Sequence, residues 1–163
     1  MRILAIDPGN IESAYIMMFD GKIMNAEKVR NEIVLSTIKG LYSDDLTIVI
    51  EKIQSFGMVV GATVFETCYW IGRFWQEAVR HDIKVEFVTR MEEKMCLCHN
   101  SRAKDKNIHQ ALVDRYGPVP TKKRPNPFYD DIKLSGDMWS ALAVAVTYME
   151  RMEKEKETLH GTI

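Results

Sequence analysis

Short apolar runs separated by turn residues open the chain. Residues 3–6 form an uninterrupted apolar run, which is typical of a strand covered on both faces. The run ends at Asp7, and the Pro-Gly-Asn that follows favours a turn because proline fixes φ and glycine tolerates positive φ. Asp-Gly separates two further apolar stretches, at 14–19 and 22–24. The pattern predicts a three-stranded meander in which Asp7 leaves the first and most buried strand.

The rest of the chain alternates between helical and extended patterns. Apolar spacing predicts helices at 32–41, 60–80, 103–116 and from 136 onward, and apolar, β-branched runs predict strands at 46–50 and 85–88. Residues 90–98 are expected to be a connection, and 117–132, rich in proline and basic side chains, a loop. This order predicts an α/β fold with a central five-stranded mixed sheet, its first and fourth strands side by side. We expect one domain over residues 1–163, with a tail that frays from about residue 150.

The helix predicted at 60–80 carries more apolar residues than one packed face requires. Apolar side chains between Val64 and Val79 cover more than one side of it. One side must pack on the sheet, and the surplus would contact water unless a second copy covers it. The alternative is a helix enclosed within its own domain. We favour a symmetric homodimer through this helix, because so small a domain rarely buries a helix on every side.

The composition is that of an ordinary soluble globular protein, with 46% of the 163 residues hydrophobic and 28% charged. No apolar run is long enough to span a membrane, and Met1 and Arg2 lead into a strand rather than a signal peptide. Three cysteines without zinc-site spacing suit a reduced compartment, so we expect a cytoplasmic protein. A net charge of -1 argues mildly against nucleic acid, although basic side chains concentrate between 94 and 124.

Three carboxylates stand on elements that this fold would bring together. Asp7 and Glu51 each follow a buried strand, and Asp137 stands at the first turn of the last helix. Converging carboxylates repel one another unless cations hold them, and oxygen ligands without His or Cys favour Mg²⁺ or Mn²⁺ over zinc. Two such ions can activate a water and stabilise the leaving oxygen in phosphodiester hydrolysis. The alternative is structural: Asp7 only caps the Pro-Gly turn, and Asp137 only caps the helix.

Three stretches taken together resemble the RuvC family of Holliday-junction resolvases. They are residues 3–9 (Ile-Leu-Ala-Ile-Asp-Pro-Gly), 48–51 (Ile-Val-Ile-Glu) and 137–145 (Asp-Met-Trp-Ser-Ala-Leu-Ala-Val-Ala). Residues 65–74 are similar to the branch found in phages and prophages of Gram-positive bacteria. The resemblance covers nearly the whole chain. It implies a ribonuclease-H-like fold and a homodimer that nicks two opposed strands of a four-way DNA junction in a bacterial host cell.

The resemblance also implies roles for individual residues. Asp7, Glu51 and Asp137 match the family's metal-binding acids, which hold two Mg²⁺ ions, and Mn²⁺ is expected to substitute. Phe56 lies where the family often places an aromatic residue near the junction centre. Lys106, or Lys104 beside it, falls where the family carries a basic residue close to the scissile phosphate.

One position departs from the family pattern. Many members carry a fourth metal ligand, Asp or His, one helical turn after the third acid, and this chain has Ser140 there. A serine hydroxyl can contact a metal-bound water but is a poor ligand. Asp130 and Asp131 are the candidates to replace it.

Basic side chains on loops and helices are candidate DNA contacts. They are Lys94, Lys104, Lys106, Lys122, Lys123 and Arg124. A basic run such as 122–124 is commonly a solvated turn, but flanking prolines extend this one, and we favour phosphate contact. Phe56 is either a hydrophobic staple for the following helix or a base-stacking residue.

The leading hypothesis is a Mg²⁺-dependent, structure-selective DNA endonuclease acting on four-way junctions. A second is a nuclease of the same fold acting on other branched DNA or on structured RNA. A third is a sugar-kinase or actin-like phosphate-binding fold, because residues 7–9 and 19–22 also resemble its first phosphate loop, but this chain is too short for its two lobes. A fourth is a junction-binding protein whose catalysis has decayed, for which Ser140 is the hint.

Overall fold

One mixed sheet forms the centre of the protein. The structure, a computed structural model, describes residues 1–42, 45–55, 57 and 59–160. Within these residues the strands are β1 (Arg2–Asp7), β2 (Glu12–Phe19), β3 (Lys22–Arg30), β4 (Leu46–Lys52) and β5 (Lys84–Thr89). The helices are α1 (Asn31–Lys39), α2 (Ala62–Arg80), α3 (Arg90–Cys98), α4 (Asp105–Tyr116) and α5 (Met138–His160).

The strand order in the sheet is β3-β2-β1-β4-β5. β1 pairs antiparallel with β2 and parallel with β4, so the expectation that the first and fourth strands lie side by side at the centre is confirmed. The third strand is longer than the sequence pattern indicates, because its pairing with β2 runs from Lys22 to Arg30. Many side chains along this edge strand are polar, so the apolar pattern does not reveal its full length.

Side chains that alternate along the strands create two cores. On one face, Ile3 and Ala5 of β1 pack with α4 and α5. On the other face, Leu4 and Ile6 pack with α1 and α2. Residues 141–146 of α5 are all fully buried, which makes α5 the element that covers the first face.

Residues 90–98 form a helix rather than the irregular connection that we expected. Thr89 caps it: its hydroxyl oxygen accepts a hydrogen bond from the Glu92 N–H at 3.2 Å, and the Glu92 carboxylate accepts one from the Thr89 N–H at 2.6 Å. This reciprocal pair satisfies two N–H groups that a helix start otherwise leaves free. α3 therefore begins immediately where β5 ends.

The two remaining segments also have more order than the pattern suggests. In the region 117–132, Thr121 and Arg124 pair as an isolated bridge around a tight turn, which we call the basic hairpin (121–124). Phe128 anchors its base, since its carbonyl accepts from the Ile23 N–H at 3.0 Å and its ring stacks on Tyr116 at 4.0 Å between centroids. At the C-terminus, the segment expected to fray is helical as far as His160.

None of the described helices combines the length and apolar character that crossing a membrane would require.

Candidate active site

Asp7 and Glu51 lie at the same end of two neighbouring parallel strands. The β1–β4 register pairs Ile6 with Ile50, so the next residue of each strand is an acid. Alternation places both acids on the face of Ala5 and Val49, which is the face that α5 covers. Parallel strands meet at the same sheet edge, and the structure thereby brings the two carboxylates together.

A network of hydrogen bonds holds the turn that follows Asp7. The Gly9 N–H donates to the Ser13 hydroxyl at 3.1 Å, that hydroxyl donates to Asn31 Oδ1 at 2.5 Å, and Asn31 Nδ2 donates to the Gly9 carbonyl at 2.9 Å. A Cβ on residue 9 would lie 2.2 Å from the carbonyl oxygen of Glu12. Only glycine therefore fits this close approach of two backbone segments.

Burial raises the pKa of the Asp7 carboxyl from its ordinary value of 3.8 to about 9. The Glu51 carboxylate adds to this shift through its charge and a hydrogen bond, and the charges of Asp137 and Glu93 act in the same direction. Four acids thus share one electrostatic environment, and at neutral pH a proton stays on Asp7. A bound cation would replace this proton as the compensating charge.

Asp137 comes directly before α5 and lies on the same side of the sheet. Its Oδ2 is 2.7 Å from the Nζ of Lys28. Lys28 reaches it from β3, because the register pairs Asp7 with Ala14 and Ala14 with Lys28 in one row across the sheet. The third acid is therefore near Asp7 but already has a cationic partner.

Glu93 is a fourth acid at this site that the sequence patterns did not reveal. Its side chain is 0% exposed, and Arg90 donates a hydrogen bond to it. Its second oxygen, Oε1, has no hydrogen-bond partner. Burial and the nearby Glu51 raise its pKa to about 8, against the opposing effect of Arg90. The one available signal was the Thr89/Glu92 spacing of a helix start, which places this residue in the first turn of α3.

A pocket of about 400 Å³ opens beside Asp137. Its wall includes Arg90, Lys106, His109, Asp137, Trp139 and Ser140. The structure thus brings the predicted basic residue Lys106 and the half-buried Ser140 to the same pocket as the third acid. Arg90 also pairs with Asp105 on the pocket wall.

The other residues that are predicted to contact DNA do not line this pocket. Lys104 is exposed directly before α4, and Lys94 is half-buried on α3. Lys122, Lys123 and Arg124 are exposed in the basic hairpin. The segment that follows the hairpin contacts two regions: the Phe128 carbonyl accepts a hydrogen bond from the Ile23 N–H on β3, and the Tyr129 ring lies 6.3 Å from that of Trp139, which lines the pocket beside Asp137. Phe56 lies outside the described residues.

Asp130 and Asp131 are both exposed in the segment after the basic hairpin. Asp131 lines a cleft with Lys122 and Lys133, apart from the pocket that Asp137 lines. This placement gives neither aspartate a visible link to the other acids.

The donor chemistry of the site fits a hard divalent cation. Asp7, Glu51 and Asp137 offer oxygen atoms only, and the buried Oε1 of Glu93 is an acceptor without a donor. Across residues 1–42, 45–55, 57 and 59–160, however, no three acidic, His or Cys side chains stand in an arrangement that could hold a metal ion.

The fold is ribonuclease-H-like, a mixed five-stranded sheet flanked by helices, as expected. Within that class it is RuvC-like. The chain is similar to the structure of Thermus thermophilus RuvC in complex with a Holliday junction substrate, with a TM-score of 0.65, 16% identity, and 94% of this chain and 96% of that chain covered. It is also similar to another Thermus thermophilus RuvC structure, with a TM-score of 0.60, 16% identity, and coverage of 90% and 92%. No family model and no curated protein matches the sequence.

Proposed function

We propose that the protein is a metal-dependent, structure-selective DNA endonuclease that resolves four-way junctions by paired symmetric nicks. One observation carries the proposal: Asp7 and Glu51 end adjacent central strands, with Asp137 within electrostatic reach, on the fold of a nuclease whose solved complex contains a Holliday junction. Acids that meet at this end of the sheet repel one another without a cation. Burial and the neighbouring carboxylates therefore both raise the pKa of Asp7.

In this proposal Asp7, Glu51 and Asp137 hold Mg²⁺, or Mn²⁺ in its place. Two bound ions supply an activated water and stabilise the leaving oxygen in phosphodiester hydrolysis. Asp7 is the central ligand in this proposal because β1, the strand that carries it, lies between β2 and β4 in the sheet. Lys106, on the pocket wall beside Asp137, would contact the scissile phosphate.

The proposed DNA surface extends from this pocket. Lys104 is exposed directly before α4, and Lys106, in the first turn of α4, lines the pocket beside Asp137. The basic hairpin would contact phosphates of a junction arm rather than the cleaved bond, because its basic side chains do not line the pocket beside Asp137. Such contacts position the substrate without reading its sequence.

A homodimer through α2 completes the proposal. The helix leaves large apolar side chains in water: Phe65 is 59% exposed, Tyr69 75% and Trp75 46%. Gly72 on the same helix has open space around its Cα, which permits close approach of a partner helix. Glu66 of α2 accepts a hydrogen bond from Asn10 Nδ2 at 3.2 Å, which connects this face to the turn after Asp7. A two-fold dimer would present two such sites to a junction of near two-fold symmetry.

The direct test is incubation of the protein with a labelled, immobile four-way junction in Mg²⁺, Mn²⁺ or EDTA. Paired nicks that require the metal and are lost in Asp7→Asn are expected. Asp82→Asn is the matched control, because Asp82 is exposed in the turn after α2, away from the acids. Cleavage that persists in Asp7→Asn would overturn the proposal, and faster cleavage of forks, duplexes or RNA would favour a nuclease with another substrate.

A second candidate is a junction-binding protein with impaired catalysis. It is favoured by the Lys28–Asp137 ion pair and by Ser140 at the position where a fourth metal ligand, Asp or His, is expected. This candidate predicts tight, salt-sensitive junction binding in EDTA and no nicking in Mg²⁺ or Mn²⁺. Metal-dependent nicking at any appreciable rate would exclude it.

A further inference from the structure

Lys28 and Asp137 form an ion pair at the edge of the acid site. The ammonium Nζ lies 2.7 Å from Asp137 Oδ2, a distance at which the two groups share a charge-assisted hydrogen bond. Both side chains are about half exposed, at 43% and 52%. The pair is thus accessible to ions from solvent, and neither group is locked into the core.

The sheet positions Lys28 for this contact. Lys28 shares a row with Ala14 and Asp7, so the three side chains project from the same face of the sheet. The backbone of Lys28 is held by strand pairing, whereas its ammonium is carried on a flexible four-carbon stem. The charged group can therefore leave Asp137 without a change in the fold.

The acids around Asp137 favour a cation beside its carboxylate. Asp137 is close enough to Asp7 for its charge to act on that carboxyl, and Glu51 and Glu93 add to the negative environment. Without a compensating charge, Asp137 would be repelled from the other acids. The Lys28 ammonium supplies that charge and keeps Asp137 at the mouth of the site.

We propose that Lys28 is an internal counter-ion that holds Asp137 in place and competes with the divalent metal for the same carboxylate. The inference rests on the proposed function, because it requires the acids to bind a metal. Lys28 is a positioning residue: it keeps the third acid near the site while no metal is bound, and metal binding displaces its ammonium. Its presence lowers the affinity of the site for the metal.

The test measures Mn²⁺ binding by titration calorimetry in the absence of DNA, so that it does not depend on cleavage. Lys28→Met is expected to bind Mn²⁺ about three- to tenfold more tightly than the wild type, because removing a close cation both frees the carboxylate and deepens the negative potential. Lys28→Arg, which retains the ion pair, is expected to bind no more tightly than the wild type.

Two matched controls separate direct competition from a general change in charge. Lys106→Met removes the same charge from the pocket beside Asp137 but removes no ion pair with it, and a smaller effect is expected. Lys84→Met removes a strand lysine that pairs with Glu86 at 2.9 Å, away from the acids, and no effect is expected. Equal tightening by Lys28→Met and Lys106→Met would overturn the inference.

Thermal unfolding gives a second readout. In EDTA, Lys28→Met is expected to melt at a lower temperature than the wild type, because Asp137 loses its counter-ion, and saturating Mn²⁺ is expected to remove the difference. Unchanged or weaker Mn²⁺ binding by Lys28→Met, in a variant that folds, would overturn the role of Lys28 while leaving the metal site standing. Absence of Mn²⁺ binding in wild type and Lys28→Met alike would overturn the metal site itself.

Discussion

Arg90 donates a hydrogen bond to Glu93, an acid whose side chain is completely enclosed beside the Asp7–Glu51 pair. Both residues lie in the first turn of α3, and Arg90 also pairs with Asp105 at the start of α4. One guanidinium thus links a buried carboxylate to the pocket wall. The pKa of Arg90 is raised because Glu93, Asp105 and Glu51 together outweigh the opposing effect of burial.

Arg90→Gln should destabilise the protein strongly. Above the Glu93 pKa of about 8, it leaves a buried carboxylate without a compensating charge, and breaking a buried pair in this way typically costs about 3–5 kcal/mol. Urea unfolding in EDTA at constant pH measures the loss. Arg30→Gln is the control, because Arg30 forms a largely exposed ion pair with Glu32 and should change stability by less than about 1 kcal/mol. Similar values for the two variants would show that Glu93 is not buried as described.

The metal-free protein should lose stability as the pH rises. Asp7 keeps its proton to about pH 9 in the folded state, whereas in the unfolded chain it releases that proton near its ordinary pKa of 3.8. Between these values the folded state binds more protons than the unfolded state, so the free energy of unfolding falls as pH increases. Glu93, with its pKa raised to about 8, acts in the same direction.

Denaturant unfolding in EDTA at several values between about pH 5 and pH 9 tests this dependence. Asp7→Asn should flatten the curve, because the amide has no proton to release and needs no counter-charge. Divalent metal should restore stability at the alkaline end. Stability that rises with pH in the metal-free wild type would contradict the assignment of a raised pKa to this acid.

Charges placed on the exposed face of α2 should abolish the proposed dimer. Phe65→Glu combined with Tyr69→Glu replaces side chains that are 59% and 75% exposed by carboxylates, and the interface would have to bury these charges from both copies without compensation. Sedimentation at micromolar concentration should show a dimer for the wild type and a monomer for the variant.

Met24→Glu is the control for that experiment, since Met24 is 50% exposed on β3 rather than on α2. It should sediment as the wild type does. A monomeric wild type, or a dimer that survives both glutamates on α2, would show that this face has another role.

The basic hairpin should contribute to DNA affinity but not to the chemical step. Lys122→Ala with Lys123→Ala removes two exposed cations that do not line the pocket beside Asp137. The slope of log affinity against log salt should become shallower by about 2, close to one unit for each phosphate that the variant no longer neutralises. The cleavage rate at saturating junction should be unchanged.

Lys39→Ala with Lys84→Ala is the matched double variant, because both lysines are exposed and lie elsewhere on the protein. Filter-binding or fluorescence titrations with junction DNA at several salt concentrations measure the affinities of the two double variants. An unchanged slope of log affinity against log salt in the hairpin variant would show that residues 122–124 are a solvated turn without phosphate contacts.

Some features of the site follow from local pattern, and others do not. The unbroken apolar runs before Asp7 and Glu51 predict two buried strands, and parallel pairing then predicts neighbouring acids; the register of Ile6 with Ile50 agrees. Glu93 could not be found in this way. An acidic residue interrupts the apolar periodicity of α3, and only the tertiary structure, in which its side chain is 0% exposed, shows that it is enclosed.

The order of the elements apart from α3, the central position of β1 and β4, and the apolar surplus of α2 could be predicted from the amino-acid sequence, because the periods of helices and strands are local properties of the chain. Which charges meet depends on the tertiary structure. Lys28 and Asp137 are far apart in the chain and contact each other because β3 pairs with β2 while α5 packs across the same face. Ion pairs depend on the docking of whole elements, and no pattern along one element contains that information.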